Sequence, residues 1–174
     1  MTTINTPVGE LTAVAVEEGL CILEFTDSKS FTNDLNQREL AQQQGSTSCE
    51  NKHFISLRTQ LGEYFTGIRK VFTIPLIPQG TEFQKTVWSE LLKIPYGSTR
   101  SYLEQASGMK KPESVRAVAG ANGMNQICIL IPCHRVVASN GRLTGYSGGL
   151  HRKKWLLDHE KRFSGQPVNG SLFS

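Results

Sequence analysis

The chain has 174 residues, 38% hydrophobic and 20% charged, an ordinary globular composition that suits one domain or two small ones. No run approaches the ~18 apolar residues of a membrane span, and no basic region leads into an apolar stretch at the N-terminus, so a cytoplasmic protein is expected. The formal net charge of +4 is unevenly spread: residues 1–80 hold 6 Lys+Arg against 9 Asp+Glu, and the remainder 13 against 6. A basic second half fits a nucleic acid or other polyanion, although solvated lysines on a helix face give the same count.

Thr6-Pro7-Val8-Gly9 opens an apolar segment over 10–16, which Glu17-Glu18-Gly19 breaks before a returning segment at 20–26. Together they predict a β-hairpin with both faces partly apolar, so at least one face must be covered. Residues 28–49 are polar and rich in Gln, Asn and Ser, a surface connection with one short helical candidate at 33–44. Phe54, Leu57, Leu61 and Phe65 follow the 3.6-residue period of an amphipathic helix over 53–64, closed by Gly67. Residues 71–76 are expected to form another short strand. Pro75, Pro78 and Gly80 then mark a boundary near residue 79 between an N-terminal domain (1–78) and a C-terminal one (79–163).

Thr81-x-x-Gln84 is a capping-box pattern that starts a helix with Phe83, Val87, Trp88, Leu91 and Leu92 on one apolar face; Ile94-Pro95-Tyr96-Gly97 ends it. Ser101-x-x-Glu104 caps a short helix with Tyr102 at its N-terminus, and Gly108 suits the left-handed position beyond its end. Pro112 starts a second helix that runs to about Gly123, with Val115, Val118 and Ala119 toward the core. Two short helices and a tight turn read as helix-turn-helix. The outer face of the second helix offers Arg116, Ala117, Gly120, Ala121 and Gly123 instead of the Asn, Gln and Arg of a major-groove reader. Small residues permit close approach to a minor groove about 6 Å wide, with Arg116 able to enter the base stack. A helix packed tightly against another helix would show the same face.

Residues 127–131 form an apolar run that delivers Pro132 and Cys133. Val136-Val137-Ala138, Asn140-Gly141 and Leu143-Thr144 resemble a short hairpin, and Gly145-Tyr146-Ser147-Gly148-Gly149 a flexible loop able to close over a pocket. A helix over 150–161 is expected to turn Leu150, Trp155, Leu156 and Leu157 inward, and a flexible polar tail to begin at Ser164.

Cys133 stands beside His134. A free thiol has a pKa of about 8.5, so a nucleophilic cysteine needs a base or a positive field. Neighbours in an extended segment point to opposite sides, so a bridging water, not a direct bond, would join the pair. His134 needs an orienting acceptor. Glu160 is the candidate: it sits in the last turn of its helix, where the macrodipole disfavours a carboxylate, and neither Leu156 nor Ser164 can neutralise it. A solvated surface charge is the plainer account of Glu160. His151 and His159 are expected at the surface, and Arg135 in a structural ion pair. Cys21, Cys49, Cys128 and Cys133 include no Cys-x-x-Cys pair and no His at zinc-ligand spacing, so neither a disulfide framework nor a metal is expected, and no cofactor motif is present.

Ile131-Pro132-Cys133-His134-Arg135-Val136, Gly145-Tyr146-Ser147-Gly148-Gly149 and Trp155-Leu156-Leu157-x-His159-Glu160 together resemble the O6-alkylguanine-DNA alkyltransferases. The resemblance extends through Phe83-Gln84-x-x-Val87-Trp88, Ile94-Pro95-Tyr96-Gly97, Ser101-Tyr102 and Arg116-Ala117-Val118, and covers the N-terminal half only in outline. It implies an α+β fold: a small N-terminal α/β domain with a ribonuclease-H-like antiparallel sheet, and a C-terminal helical domain whose helix-turn-helix docks in the minor groove of double-stranded DNA. It further implies a monomer, in the nucleoid if bacterial or the nucleus if eukaryotic, that repairs O6-alkylguanine or O4-alkylthymine by irreversible transfer to Cys133.

By the same resemblance His134 is the water-mediated base, Glu160 its orienting acid and Asn125 the hinge of the reactive loop. Arg116 is the finger that replaces the flipped base, with Ala117 and Gly120 beside it on the docking face. Tyr102 donates to the guanine ring and helps turn the 3′ phosphate, the Val136 carbonyl, Tyr146 and Ser147 hold the base, and Cys128 and Thr144 shape the pocket wall. A lesion-binding protein that recruits other repair factors without removing the alkyl group is the alternative, against which Cys133 argues. A transcription regulator and a cysteine hydrolase with repeated turnover are two further rivals.

Overall fold

The sheet is built from three antiparallel strands in the order β1 (Thr2–Thr6), β2 (Gly9–Ala15) and β3 (Leu20–Phe25). These come from a computed structural model that describes residues 1–28 and 52–165. The helical candidate at 33–44, Cys49 and the tail from residue 166 lie outside the described residues.

The hairpin of β2 and β3 is the expected one, with a bulge at Val14/Ala15. The strand before it was not anticipated: β1 joins β2 through Pro7-Val8 in the register Thr6↔Gly9, and only Ile4 of its side chains packs on the core. An edge strand exposed on alternate residues carries too little apolar pattern to register in a short sequence window. Leu11, Ala13, Leu23 and Phe25 bury against Phe54, Leu57 and Leu61 of α1 (Lys52–Phe65), while Val14, Cys21 and Ile22 form a second cluster with Val16 and Ile77. Residues 71–76 do not form the predicted strand. They touch β3 through one parallel bridge, in which Leu20 N donates to Pro75 O and Ile77 N to Leu20 O, because Pro75 has no N–H to continue a ladder.

Helix α2 (Glu82–Leu91) starts at the Thr81 capping box, with both reciprocal bonds to Gln84 made. It buries Val87, Trp88 and Leu91, whereas Leu92, expected on the same face, follows the last helical residue and is 54% exposed. α3 (Tyr102–Gly108) has a complete capping box from Ser101 to Glu104. Its left-handed residue is not Gly108, which is still helical, but Lys110 at φ 59°; Lys111 N bonds to Ala106 O and Lys110 N to Ser107 O. A 3-10 turn (Pro112–Ser114) leads into α4 (Val115–Gly123).

Buried polar links lock these helices together. Trp88 Nε1 donates to Ala121 O at 2.8 Å, and the Gln105 and Asn122 amides pair reciprocally at 3.2 and 2.7 Å. Ala121 is therefore buried, not on the outer face, whereas Arg116, Ala117, Gly120 and Gly123 are exposed. A Cβ on Gly120 or Gly123 would meet nothing within 4 Å, so this face is open and not packed against another helix.

The apolar run 127–131 is buried but forms turns. It hangs on β3, where Leu23 N donates to Gln126 O and Cys128 N to Leu23 O, each at 2.8 Å. Val136–Val137 (β5) pairs in parallel with Arg100–Ser101 (β4) and not in the expected hairpin; beyond it a tight loop closes with Ala138 N on Arg142 O. α5 (Leu150–Phe163) turns Lys153, Leu156, Leu157, His159 and Glu160 inward. Leu150 and Trp155, expected inside, are exposed, because the buried stripe includes two charged residues that a search for apolar spacing passes over. No helix among the described residues is long and apolar enough to cross a membrane.

Candidate active site

Cys133, His134 and Arg135 form a buried 3-10 turn, not an extended segment, at the end of the loop carried by β3. Asn125 holds that loop: its Nδ2 donates to Ile131 O at 2.9 Å and to Cys133 Sγ at 3.2 Å, and its Oδ1 accepts from Ile127 N at 3.1 Å. Between these anchors Ile129 adopts φ 69°, a left-handed conformation that is costly for a β-branched residue. The surrounding bonds hold the loop in that strained path.

Glu160 is fully buried. Its Oε1 accepts from His134 Nε2 at 2.8 Å, Tyr64 Oη at 2.8 Å and Arg135 Nη2 at 3.0 Å; its Oε2 accepts from Arg135 Nε at 2.9 Å and Gly97 N at 3.1 Å. Burial alone would raise the carboxyl pKa, but His134 and the Arg135 guanidinium outweigh it and hold Glu160 well below the usual carboxylate range. An ionised Oε1 puts the imidazole proton on Nε2 and leaves Nδ1 as the acceptor, and Nδ1 is buried with no hydrogen-bond partner among the described residues. Burial also lowers the His134 pKa against the opposing Glu160 charge, so the ring is neutral at rest. Arg135 is the ion-pair residue expected of it, with Nη1 also on Ile94 O at 2.7 Å.

Burial pushes the Cys133 thiol up, opposed by the Asn125 donor and by the Lys153 charge. Lys153 was missed in the sequence. It is fully buried, its Nζ donates to Thr144 O at 2.6 Å and Gly145 O at 3.2 Å, and burial draws its pKa down to about 8. Its position seven residues before Glu160, two turns along the same helix face, was the signal available. Tyr102 Oη meets it at the same carbonyl, donating to Thr144 O at 3.1 Å.

The structure thus gathers Asn125, Cys133, His134 and Glu160 into one linked group, with Tyr102, Lys153 and the Thr144 carbonyl in a second. Val136 and Cys128 are buried, and burial raises the Cys128 thiol well above its ordinary value. Tyr146 meets Phe25 edge-on at 6.5 Å, and a Cβ on Gly148 would come within 2.5 Å of Phe25, so the 145–149 loop is seated on the N-terminal sheet. Ser147 in this loop is half-buried and Thr144 exposed. Arg116, Ala117 and Gly120 stand apart on the open face of α4. His159 is not a surface residue: it is buried, donates from Nε2 to Tyr64 O at 2.8 Å and stacks on Trp155; His151 is exposed.

A buried thiol beside an oriented imidazole, carried next to a helix-turn-helix, defines the class: a nucleic-acid-associated cysteine nucleophile. Residues 82–162 match the family model described as "6-O-methylguanine DNA methyltransferase, DNA binding domain", and residues 1–78 the one described as "6-O-methylguanine DNA methyltransferase, ribonuclease-like domain". The methylated-DNA–protein-cysteine methyltransferase of Methanosarcina barkeri is 42% identical over 159 residues, spanning 91% of this chain and 94% of that protein. Its namesake in Mycobacterium tuberculosis is 41% identical over 174 residues, spanning 98% and 96%. The crystal structure of Mycobacterium tuberculosis OGT in complex with DNA superposes with a TM-score of 0.78 at 39% identity and 92% coverage of both chains. The chain belongs to the methylated-DNA–protein-cysteine methyltransferase family, with the α+β fold expected of it.

Proposed function

We propose that the chain repairs DNA by direct reversal, moving the alkyl group from O6 of guanine, or O4 of thymine, onto Cys133 Sγ. One observation carries the reading: Cys133 and His134 share a buried turn in which Glu160 takes His134 Nε2 and leaves Nδ1 free to accept a proton. The thiol proton passes through a bridging water to Nδ1, the S–C bond forms as the C–O bond breaks, and the departing base takes up a proton, with the Tyr102 hydroxyl as donor. The product is a thioether with no hydrolytic exit, so each molecule acts once. The Lys153 ammonium stabilises the thiolate as it forms. Val136, Tyr146 and Ser147 hold the base, and Cys128 and Thr144 shape the wall.

DNA is taken up through the open face of α4. The small side chains of Ala117 and Gly120 fit a minor groove about 6 Å wide, and Arg116 fills the place of the extruded nucleotide. The basic residues 81–174 supply the phosphate attraction.

Incubation with a duplex containing labelled O6-methylguanine should leave one methyl group per protein, located by mass spectrometry on Cys133. No transfer, many turnovers, or a methyl on Cys128 overturns the reading. Arg116→Ala should slow reaction with the duplex more than with the free base; equal losses would remove the finger role.

A further inference from the structure

Tyr64 lies in the last turn of α1, 96 residues before Glu160, and is fully buried. Its ring packs edge-on against Phe65 and Tyr96 and at a tilt against Phe72 and His159. A phenylalanine would serve that packing equally. The hydroxyl would then be an unneeded buried polar group, costly unless bonded. Among the described residues its partner is Glu160 Oε1, at 2.8 Å, the oxygen that also takes His134 Nε2. In the opposite direction His159 Nε2 donates to the Tyr64 carbonyl at 2.8 Å. Two bonds of opposite sense thus clasp the end of α1 to consecutive residues of α5.

We infer that Tyr64 is a positioning residue of the alkyl-transfer site, through which the N-terminal part of the chain sets how much of the Glu160 charge reaches His134. This rests on the reading of His134 as proton acceptor. Oε1 divides its charge among Tyr64, His134 and Arg135, so a stronger donor at position 64 leaves His134 less basic and a missing one leaves it more basic. The other groups facing this pair are Tyr96 after α2, Arg135 and Cys133 on the reactive turn, and Lys153 of α5. Burial and the Glu160 charge keep the Tyr64 hydroxyl protonated, so it remains a donor across the working range.

The test compares Tyr64→Phe and a fluorotyrosine at position 64, whose more acidic hydroxyl donates more strongly, with the natural chain. The His134 imidazole titration is followed by NMR and the acid limb of single-turnover methyl transfer by rate. Tyr64→Phe should move both upward by about half a pH unit, and fluorotyrosine should move both downward. Should Tyr64→Phe not fold, the fluorotyrosine arm decides alone. A lowered melting temperature with neither titration nor limb displaced would overturn the inference and reduce Tyr64 to packing. Absence of methyl transfer in the natural chain would instead defeat the functional reading, while the NMR titration still reports whether Tyr64 and His134 are coupled.

Discussion

At the scale of single residues, the site is governed by how buried charges are compensated. Glu160 takes five donors and is ionised; Lys153 has two carbonyls and, among the described residues, no carboxylate bonded to its ammonium, and its pKa falls to about 8. The unfolded chain keeps the Lys153 proton up to about 10.5, whereas the folded chain releases it near 8, so the stability contributed by this group rises with pH across that window. In urea unfolding of the natural chain and Lys153→Met at a series of pH values, the difference should move in favour of the natural chain between pH 8 and 10.5. The movement should amount to about 3 kcal/mol. A pH-independent difference would mean that burial does not lower the Lys153 pKa. The same substitution should slow methyl transfer near neutral pH, since Cys133 loses the cation that opposes its burial.

At the scale of elements, the helix starts were the most legible part of the chain. Both capping boxes, Thr81 with Gln84 and Ser101 with Glu104, formed as their spacing predicts, because a cap involves residues three apart and little else. The link between α3 and α4 was less legible. Chain direction there depends on which residue takes the left-handed conformation, and Lys110 does so although Gly108 stands two residues before it. A non-glycine residue in that region costs about 1 kcal/mol. Lys110→Gly should therefore stabilise the protein by about 0.5 kcal/mol once the greater freedom of glycine in the unfolded chain is offset. Denaturant midpoints would show it, and a loss of stability would mean that the Lys110 side chain contributes more than its strain costs. The Gln105–Asn122 amide pair could not be foreseen, since each residue alone reads as an unremarkable polar position.

At the scale of the whole molecule, Arg152 joins the N-terminal sheet to the 145–149 loop. Its Nε donates to Val8 O at 2.7 Å, its two terminal nitrogens to the Asp27 carboxylate at 2.8 and 2.9 Å, and Nη1 also to Gly148 O at 3.1 Å; the guanidinium lies 4.3 Å from the centre of the Phe25 ring. Asp27 is largely exposed, so Asp27→Asn should cost less than about 1 kcal/mol. Arg152→Ala removes the buried stem, the ring contact and two carbonyl bonds as well, and should cost about 2 kcal/mol and loosen the loop at Gly148. Equal urea midpoints for the two variants would count against this division.

The sequence by itself determined the local pieces and pointed to Cys133 and His134 as candidates for the chemistry. Capping spacings, the 3.6-residue period of α1 and α2, and a Cys beside a His act over a few residues and need no tertiary context to be read. Glu160 could be suspected because its own helix offers it no partner. Only the tertiary structure decided what surrounds it: Tyr64 from α1, the Gly97 N–H after α2 and Arg135 from the turn at 133–135 converge on one carboxylate from distant stretches of chain. It likewise placed Lys153 and His159 inside, where their charge and polarity predict outside. Burial of a polar group is set by the partners that folding brings to it, and those partners leave no periodic trace in the sequence.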